Sequence, residues 1–173
     1  MGNLIIHNSQ PVDETLLQNG VFMILSDIDK VPPHIWISAF SRIFSIDING
    51  FTANRHINTL LKVFKQRKTQ AMFFELNIPN QSPKYLIRIL NQIVYQLEKV
   101  KYDSVTCLDP IKKFCNTCYG LNTNVVRTIF DLVPILEEKG VIKNTYGYNI
   151  QTSKLIIPEY EFYHVNERIL SLQ

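Results

Sequence analysis

Gly20-Val21-Phe22-Met23-Ile24-Leu25 is the stretch that decides the fold, because it is an unbroken apolar run with Asn19 before it and Ser26-Asp27 after it. A short run that is rich in β-formers and bounded by turn residues predicts a buried central strand. Residues 34–38 and 43–48 have the same character and are joined by a tight connection, so they should pair as a hairpin.

The segments around these strands predict helices that cover a sheet. Apolar residues at helical spacing favour helices over residues 59–68, 83–97, 108–118 and 124–139, the last interrupted by Pro134 and stopped by Gly140, with a final turn or two at 166–172. Residues 71–76 return to strand character, and 146–157 predict a last hairpin or extended strand. The sequence therefore predicts an α+β fold with an antiparallel sheet flanked by helices, in one domain over residues 1–173 with residues 1–19 as an N-terminal arm.

Length and composition agree with one compact core. The chain has 173 residues, of which 46% are hydrophobic and 19% charged, and a chain of this size buries about 70% of its unfolded surface without a metal or disulfide. A net charge of +3 is too small for a dedicated nucleic-acid or polybasic membrane binder. Three cysteines, no secretory signal and no apolar run long enough to cross a membrane predict a cytoplasmic protein without a transmembrane segment.

Three residues form the candidate catalytic site. His34 opens a predicted strand, Asp47 ends the next one, and Cys107 lies at the start of a predicted helix. Unpaired backbone N–H groups at a helix start favour a thiolate, which should lower the pKa of Cys107 from about 8.5 into the range of ~3.5–7.5. Cys107 would be the nucleophile, His34 the base, and Asp47 the group that orients the imidazole ring.

The order of these segments resembles a known group of enzymes. The resemblance begins with a strand that opens on histidine, His34-Ile35-Trp36-Ile37, followed by an aromatic strand, Ile43-Phe44-Ser45, and a glycine turn, Gly50-Phe51. It continues with a helix over residues 80–100 and with a segment that runs from tyrosine to cysteine, Tyr102-Asp103-Ser104-Val105-Thr106-Cys107, before Phe114 in the next helix. This arrangement is similar to the circularly permuted papain-like hydrolases, which include permuted NlpC-type peptidases, PPPDE-type isopeptidases and lecithin:retinol acyltransferase-like enzymes. Thr106 and Leu108 depart from that group, in which many members have Asn before the cysteine and a polar residue after it.

The resemblance implies a thiol-dependent hydrolase, such as a thiol protease or amidase, or an acyltransferase that acts on an amide or ester bond. It implies no cofactor and no metal, and its substrate would be a peptide, protein or lipid acyl group rather than a nucleic acid. The alternative is a non-enzymatic interaction or accessory module on a related fold.

Each candidate residue also has a structural explanation. Cys107 can be a small buried apolar residue, His34 can end a turn, and Asp47 can hydrogen-bond locally before the Asn49-Gly50 turn. Glu75, at the end of a strand, is a substitute for the orienting residue.

Other motifs give weaker signals. Cys115-Asn116-Thr117-Cys118 has C-x-x-C spacing, which with Cys107 and with His56 or His164 could bind zinc, but a lone pair of this kind is more typical of packed thiols. A basic cluster and an aromatic cluster are typical of a solvated helix face and of packing: Lys62, Lys65, Arg67 and Lys68, and Tyr160, Phe162 and Tyr163. Nucleotide-binding, zinc-protease and serine-hydrolase signatures are absent.

Overall fold

The computed structural model describes residues 4–7, 10–150 and 154–173, which form strands and helices in the following order. The strands are β1 (Leu4–His7), β2 (Gln10–Pro11), β3 (Val21–Ser26), β4 (His34–Ala39), β5 (Arg42–Ile46), β6 (Phe51–His56), β7 (Ala71–Leu76), β8 (Ile142–Tyr148) and β9 (Lys154–Ile157). The helices are α1 (Glu14–Asn19), α2 (Ile57–Arg67), α3 (Pro83–Leu97), α4 (Asp109–Tyr119), α5 (Ile129–Glu138) and α6 (Phe162–Leu172).

Seven of the strands form one sheet in the order β2-β8-β7-β3-β4-β5-β6. Its neighbouring strands are antiparallel, except that β2 runs parallel to β8. β1 and β9 form a separate antiparallel ribbon. The predicted central strand is confirmed, because β3 lies in the middle of the sheet between β4 and β7.

Both faces of the sheet are covered, which explains why β3 and β7 are buried along their whole length. On one face, alternate residues such as Met23 and Phe74 pack with α3, α4, α5 and α6. On the other face, Phe22 and Phe73 pack with α2 and with Leu17 of α1. The result is a mixed α+β fold in which one sheet lies between two helical layers.

The local sequence signals account for the elements around the site. β4 and β5 form the predicted hairpin, and Phe40 and Ser41 make its turn with positive φ angles of 48° and 66°. α3 begins where Ser82 accepts a hydrogen bond from the Tyr85 N–H group and Pro83 supplies the first turn. The predicted helices at 59–68, 83–97 and 108–118 are confirmed as α2, α3 and α4.

Three predictions differ from the structure. The helix predicted from residue 124 begins at Ile129, because the extended backbone of Thr128 and the capping box with Asp131 set its start there. The last strands are not a hairpin, since β8 pairs with β7 and β2 while β9 pairs with β1. The last helix is α6, which begins at Phe162 and is longer than the one or two turns predicted at 166–172.

The predicted N-terminal arm contains β1, β2 and α1, although residues 1–3 and 8–9 of it lie outside the described residues, as do residues 151–153 of the predicted final strands. β6 was not predicted. Among the helices in the described part of the chain, none has the length and apolar character needed to cross a bilayer.

Candidate functional site

The three candidate residues line a single pocket of 210 Å³ at one end of the sheet. The β3–β4 loop, β4, the end of β5, the turn before α4 and one face of α6 form its walls. Its lining residues are Asp27, Lys30, Pro32, Pro33, His34, Ile46, Asp47, Ile48, Val100, Thr106, Cys107, Val165, Arg168, Ile169 and Leu172. Folding therefore brings His34, Asp47 and Cys107 to the same cavity from distant parts of the sequence.

A hydrogen bond to β5 fixes the imidazole of His34. His34 Nε2 lies 2.8 Å from Ser45 Oγ, and the Ser45 hydroxyl donates to the carbonyl oxygen of Ile35 at 2.9 Å. When the Ser45 proton is donated to the Ile35 carbonyl, the hydroxyl oxygen accepts from His34, and this arrangement places the ring proton on Nε2. Nδ1 is thereby left as the unprotonated nitrogen, which is the form a general base requires.

The imidazole is neutral at pH 7. Burial lowers the pKa of His34 to about 4, and the nearby charges of Asp47 and Asp27 offset this only in part. The ring also lies edge-on to Trp36, with the ring centroids 4.8 Å apart.

Asp47 is exposed and acts mainly within its own turn. Its Oδ1 accepts hydrogen bonds from the backbone N–H groups of Asn49 at 2.7 Å and Gly50 at 3.1 Å. In the described part of the chain no hydrogen bond links Asp47 to His34. Ser45 holds the position beside the ring that the sequence assigned to Asp47, while Asp47 contributes its charge.

Cys107 lies in a tight turn directly before Leu108, the N-cap residue of α4. Asp109 Oδ2 accepts a hydrogen bond from the Thr106 N–H group at 2.6 Å, and Thr106 Oγ1 accepts one from the Leu108 N–H group at 3.2 Å. These contacts hold the turn and confirm that the cysteine precedes the helix.

The turn does not lower the pKa of the thiol as the sequence predicted. Burial raises the pKa of Cys107 to about 11, and the charge of Asp109 raises it further. Backbone N–H groups of Ile35 and of Cys107 itself act in the opposite direction but do not compensate. The helix-start effect is therefore outweighed by desolvation and by a carboxylate in the same turn.

The thiol and the imidazole share the pocket without a hydrogen bond between them in the described structure. Ile35 packs with the α3 side of the sheet, as does Cys107, whereas Trp36 packs with the α2 side. The His34 ring contacts Trp36 and so lies toward the second side. The two side chains therefore lie on opposite faces of the sheet, and both residues line the pocket at its end.

Glu75 is too far from His34 to act as a substitute orienting residue. His34 pairs with Ser26, and Ser26 pairs with Ala71, whereas Glu75 is near the other end of β7. The separation along the strand is ~13 Å.

Glu75 instead joins β7 to β8. It accepts hydrogen bonds from Lys143 at 3.0 Å, Asn144 at 2.8 Å and Tyr146 at 2.9 Å. Burial raises the pKa of Glu75, but these hydrogen bonds outweigh it, so the pKa lies below its ordinary value. A structural role explains this carboxylate.

The C-x-x-C pair lies in α4, away from the pocket. Cys115 is buried in the core and Cys118 is partly exposed, and burial raises the pKa of both thiols, to about 12 for Cys115. Among the described residues, no group of three or more His, Cys, Asp or Glu side chains is placed to hold a metal ion.

The aromatic cluster has two packing contacts. Tyr160 is buried edge-on against Phe130, with ring centroids 5.2 Å apart, and the Arg127 guanidinium lies 5.1 Å from the Phe162 ring centroid. These contacts place the start of α6 against α5 and the segment before it.

Sequence reasoning missed Ser45 and the wall formed by α6. Ser45 could have been found from strand alternation, since it is two residues before Asp47 and therefore on the same face of the strand predicted at 43–48. Nothing local to residues 162–172 indicates which part of the sheet they cover.

Comparison with protein-family models, with curated proteins and with solved structures found no match to this chain.

Proposed function

We propose that this protein is a thiol-dependent hydrolase or acyltransferase with a permuted papain-like arrangement, and that Cys107 and His34 carry the chemistry. The observation that supports the proposal is the shared pocket, which is lined by both a half-buried cysteine and a histidine whose ring is neutral at pH 7. The substrate is an amide or ester that enters this cavity.

The proposed reaction has two balanced halves. His34 Nδ1 takes the thiol proton while the sulfur attacks the acyl carbon, and the C–O or C–N bond breaks as the leaving group takes that proton. Water or another acceptor then gives its proton to His34 and attacks the thioester, and the departing sulfur recovers the proton. The hydrogen bond with Ser45 fixes the orientation of the imidazole ring during both halves.

A non-enzymatic binding module is the second candidate, and two observations favour it. The pKa of Cys107 is raised to about 11 and that of His34 lowered to about 4, so the resting pair is neutral rather than thiolate and imidazolium. An enzyme of this kind requires bound substrate to bring the Cys107 thiol and the His34 imidazole into contact. A binding module requires only that the pocket hold its ligand.

Intact-protein mass spectrometry after incubation with p-nitrophenyl acetate distinguishes the two functions. An enzyme forms an acetyl adduct on Cys107 and releases p-nitrophenol, and Cys107→Ala loses both. His34→Ala slows both strongly because no base remains for the thiol proton.

Cys118→Ala is the matched control, because it removes a partly exposed thiol of α4 that does not line the pocket. Equal rates for Cys107→Ala, Cys118→Ala and the unaltered chain, with no adduct on Cys107, would rule out the proposed chemistry and favour the binding module.

A further inference from the structure

The walls of the Cys107 pocket are buried and apolar at its floor, and exposed and mainly charged at its mouth. Ile46, Val165 and Ile169 are 1%, 9% and 4% exposed and form the floor with Val100 at 8%. At the mouth, Lys30, Asp47, Arg168 and Leu172 are exposed. Cys107 and His34 have intermediate exposure, as expected for groups between the two zones.

The floor has no free polar group that could recognise a peptide. Its aliphatic side chains carry neither donor nor acceptor, and the buried Thr106 hydroxyl is already bonded to Asp109 at 3.2 Å and to the Leu108 N–H group at 3.2 Å. A polar side chain or amide placed there would lose its hydrogen bonds to water without replacement. An aliphatic chain would lose none and would gain by leaving water.

The mouth suits a polar head group. Lys30 is paired with Asp27 at 2.8 Å, whereas Arg168 makes no ion pair within the described part of the chain. Its guanidinium is therefore available to a carboxylate or another electronegative group at the entrance.

We infer that this pocket is an acyl-chain site that accepts the aliphatic chain of a carboxylic ester or thioester, with the chain against Ile46, Val165 and Ile169 and the polar head group at the mouth. The inference rests on the proposed function only for the position of the acyl carbonyl at Cys107. It narrows the substrate class from amides and esters in general to aliphatic acyl esters.

Binding is tested without chemistry in the Cys107→Ala variant, with sodium butyrate, hexanoate and octanoate as probes. Each added CH₂ should tighten binding by about fourfold until the chain fills the cavity. In methyl-labelled protein, the NMR signals of Ile46 and Ile169 should shift on titration, whereas that of Ile87 on α3, outside the pocket, should not. Equal affinity along the series, or shifts that spare both floor residues, would overturn the inference.

Two substitutions on α6 give a matched pair. Ile169→Phe fills the floor and should weaken octanoate binding at least tenfold, while Leu170→Phe, at a neighbouring position that is 53% exposed and outside the pocket, should leave it unchanged. If Ile169→Phe lowers the melting temperature, Ile48→Phe replaces it, because Ile48 is a half-buried wall residue. If a folded variant with phenylalanine in the pocket still binds octanoate as tightly as the unaltered chain, the pocket is not the acyl-chain site.

The two proposals fail in different ways. Octanoate binding by Cys107→Ala, with no acyl adduct on the unaltered chain, would retain the acyl-chain site and reject the enzyme. An acetyl adduct on Cys107 with no preference for octanoyl over acetyl esters would retain the enzyme and reject the acyl-chain site.

Discussion

His34 makes the stability of the fold depend on pH. Its pKa is about 4 in the folded chain against an ordinary 6.5, so the unfolded chain binds more protons between these values and the free energy of unfolding falls as pH decreases from 6.5 to 4. The loss should reach up to about 3 kcal/mol. Urea unfolding between pH 4 and pH 7 measures it, and His34→Gln should flatten this part of the pH profile. An unchanged slope in that variant would mean that other groups cause the loss.

Two buried serines in the hairpin should respond differently to the loss of their hydroxyl groups. Ser45→Ala leaves the His34 Nε2–H group and the Ile35 carbonyl without their present partner, which should cost about 1–3 kcal/mol of unfolding free energy. Ser38 Oγ is buried with no hydrogen-bond partner in the described structure, so Ser38→Ala should be neutral within about 0.5 kcal/mol or stabilising. Chemical denaturation compares the two, and equal losses would show that the Ser45 network adds nothing beyond packing.

The turn before α4 sets the reactivity of Cys107. In this turn Asp109 Oδ2 bonds the N–H and hydroxyl groups of Thr106 at 2.6 and 3.2 Å, and its charge raises the pKa of the thiol. Asp109→Asn keeps an acceptor oxygen but removes the charge, so the pKa should fall. Iodoacetamide labelling of Cys107 at pH 8, followed by peptide mapping, should become about three- to tenfold faster.

The capping box of α5 provides the control for this prediction. Asp131 Oδ2 bonds the N–H and hydroxyl groups of Thr128 at 2.9 and 3.2 Å, but Asp131 is not among the groups that shift the pKa of Cys107. Asp131→Asn should alter helix stability to a similar extent without changing the labelling rate. Equal acceleration in both variants would indicate loosening of the fold rather than an electrostatic effect.

Elements with strong local signals were predicted, and elements that depend on distant partners were not. The stripe of apolar residues in 83–97 predicted α3, because side chains three and four positions apart share a helix face. β6 is polar and largely exposed, so only its pairing with β5 makes it a strand. The pairing of β9 with β1 joins opposite ends of the chain, and no local pattern records it.

The candidate site shows the same division. The sequence predicted that His34, Asp47 and Cys107 belong together, and they line one pocket. Ser45 was missed because it looks like an ordinary strand residue, and only its side-chain contact with His34 in the folded hairpin shows its role. The direction of the Cys107 pKa was wrong because burial depends on the walls around the thiol, which come from other parts of the chain.

The whole molecule should unfold as one unit, because its two apolar layers share the same strands. Phe73 and Phe74 are consecutive residues of β7 that are 0% and 1% exposed, and they point to opposite layers. If one layer unfolds, β7 loses the packing on one of its faces, and the other layer can no longer keep β7 paired and buried. Phe73→Ala and Phe74→Ala should therefore each cost about 3–5 kcal/mol and shift the same transition.

Two probes on opposite faces test this cooperativity in urea. Trp36 packs with the α2 side of the sheet and reports through fluorescence, whereas Cys115, fully buried on the α3 side, reports through alkylation of its thiol on unfolding. The midpoints from the two probes should coincide in the unaltered chain and move together in both variants. If Phe73→Ala shifts only the Trp36 transition and Phe74→Ala only the Cys115 transition, the layers unfold independently and the shared sheet does not couple them.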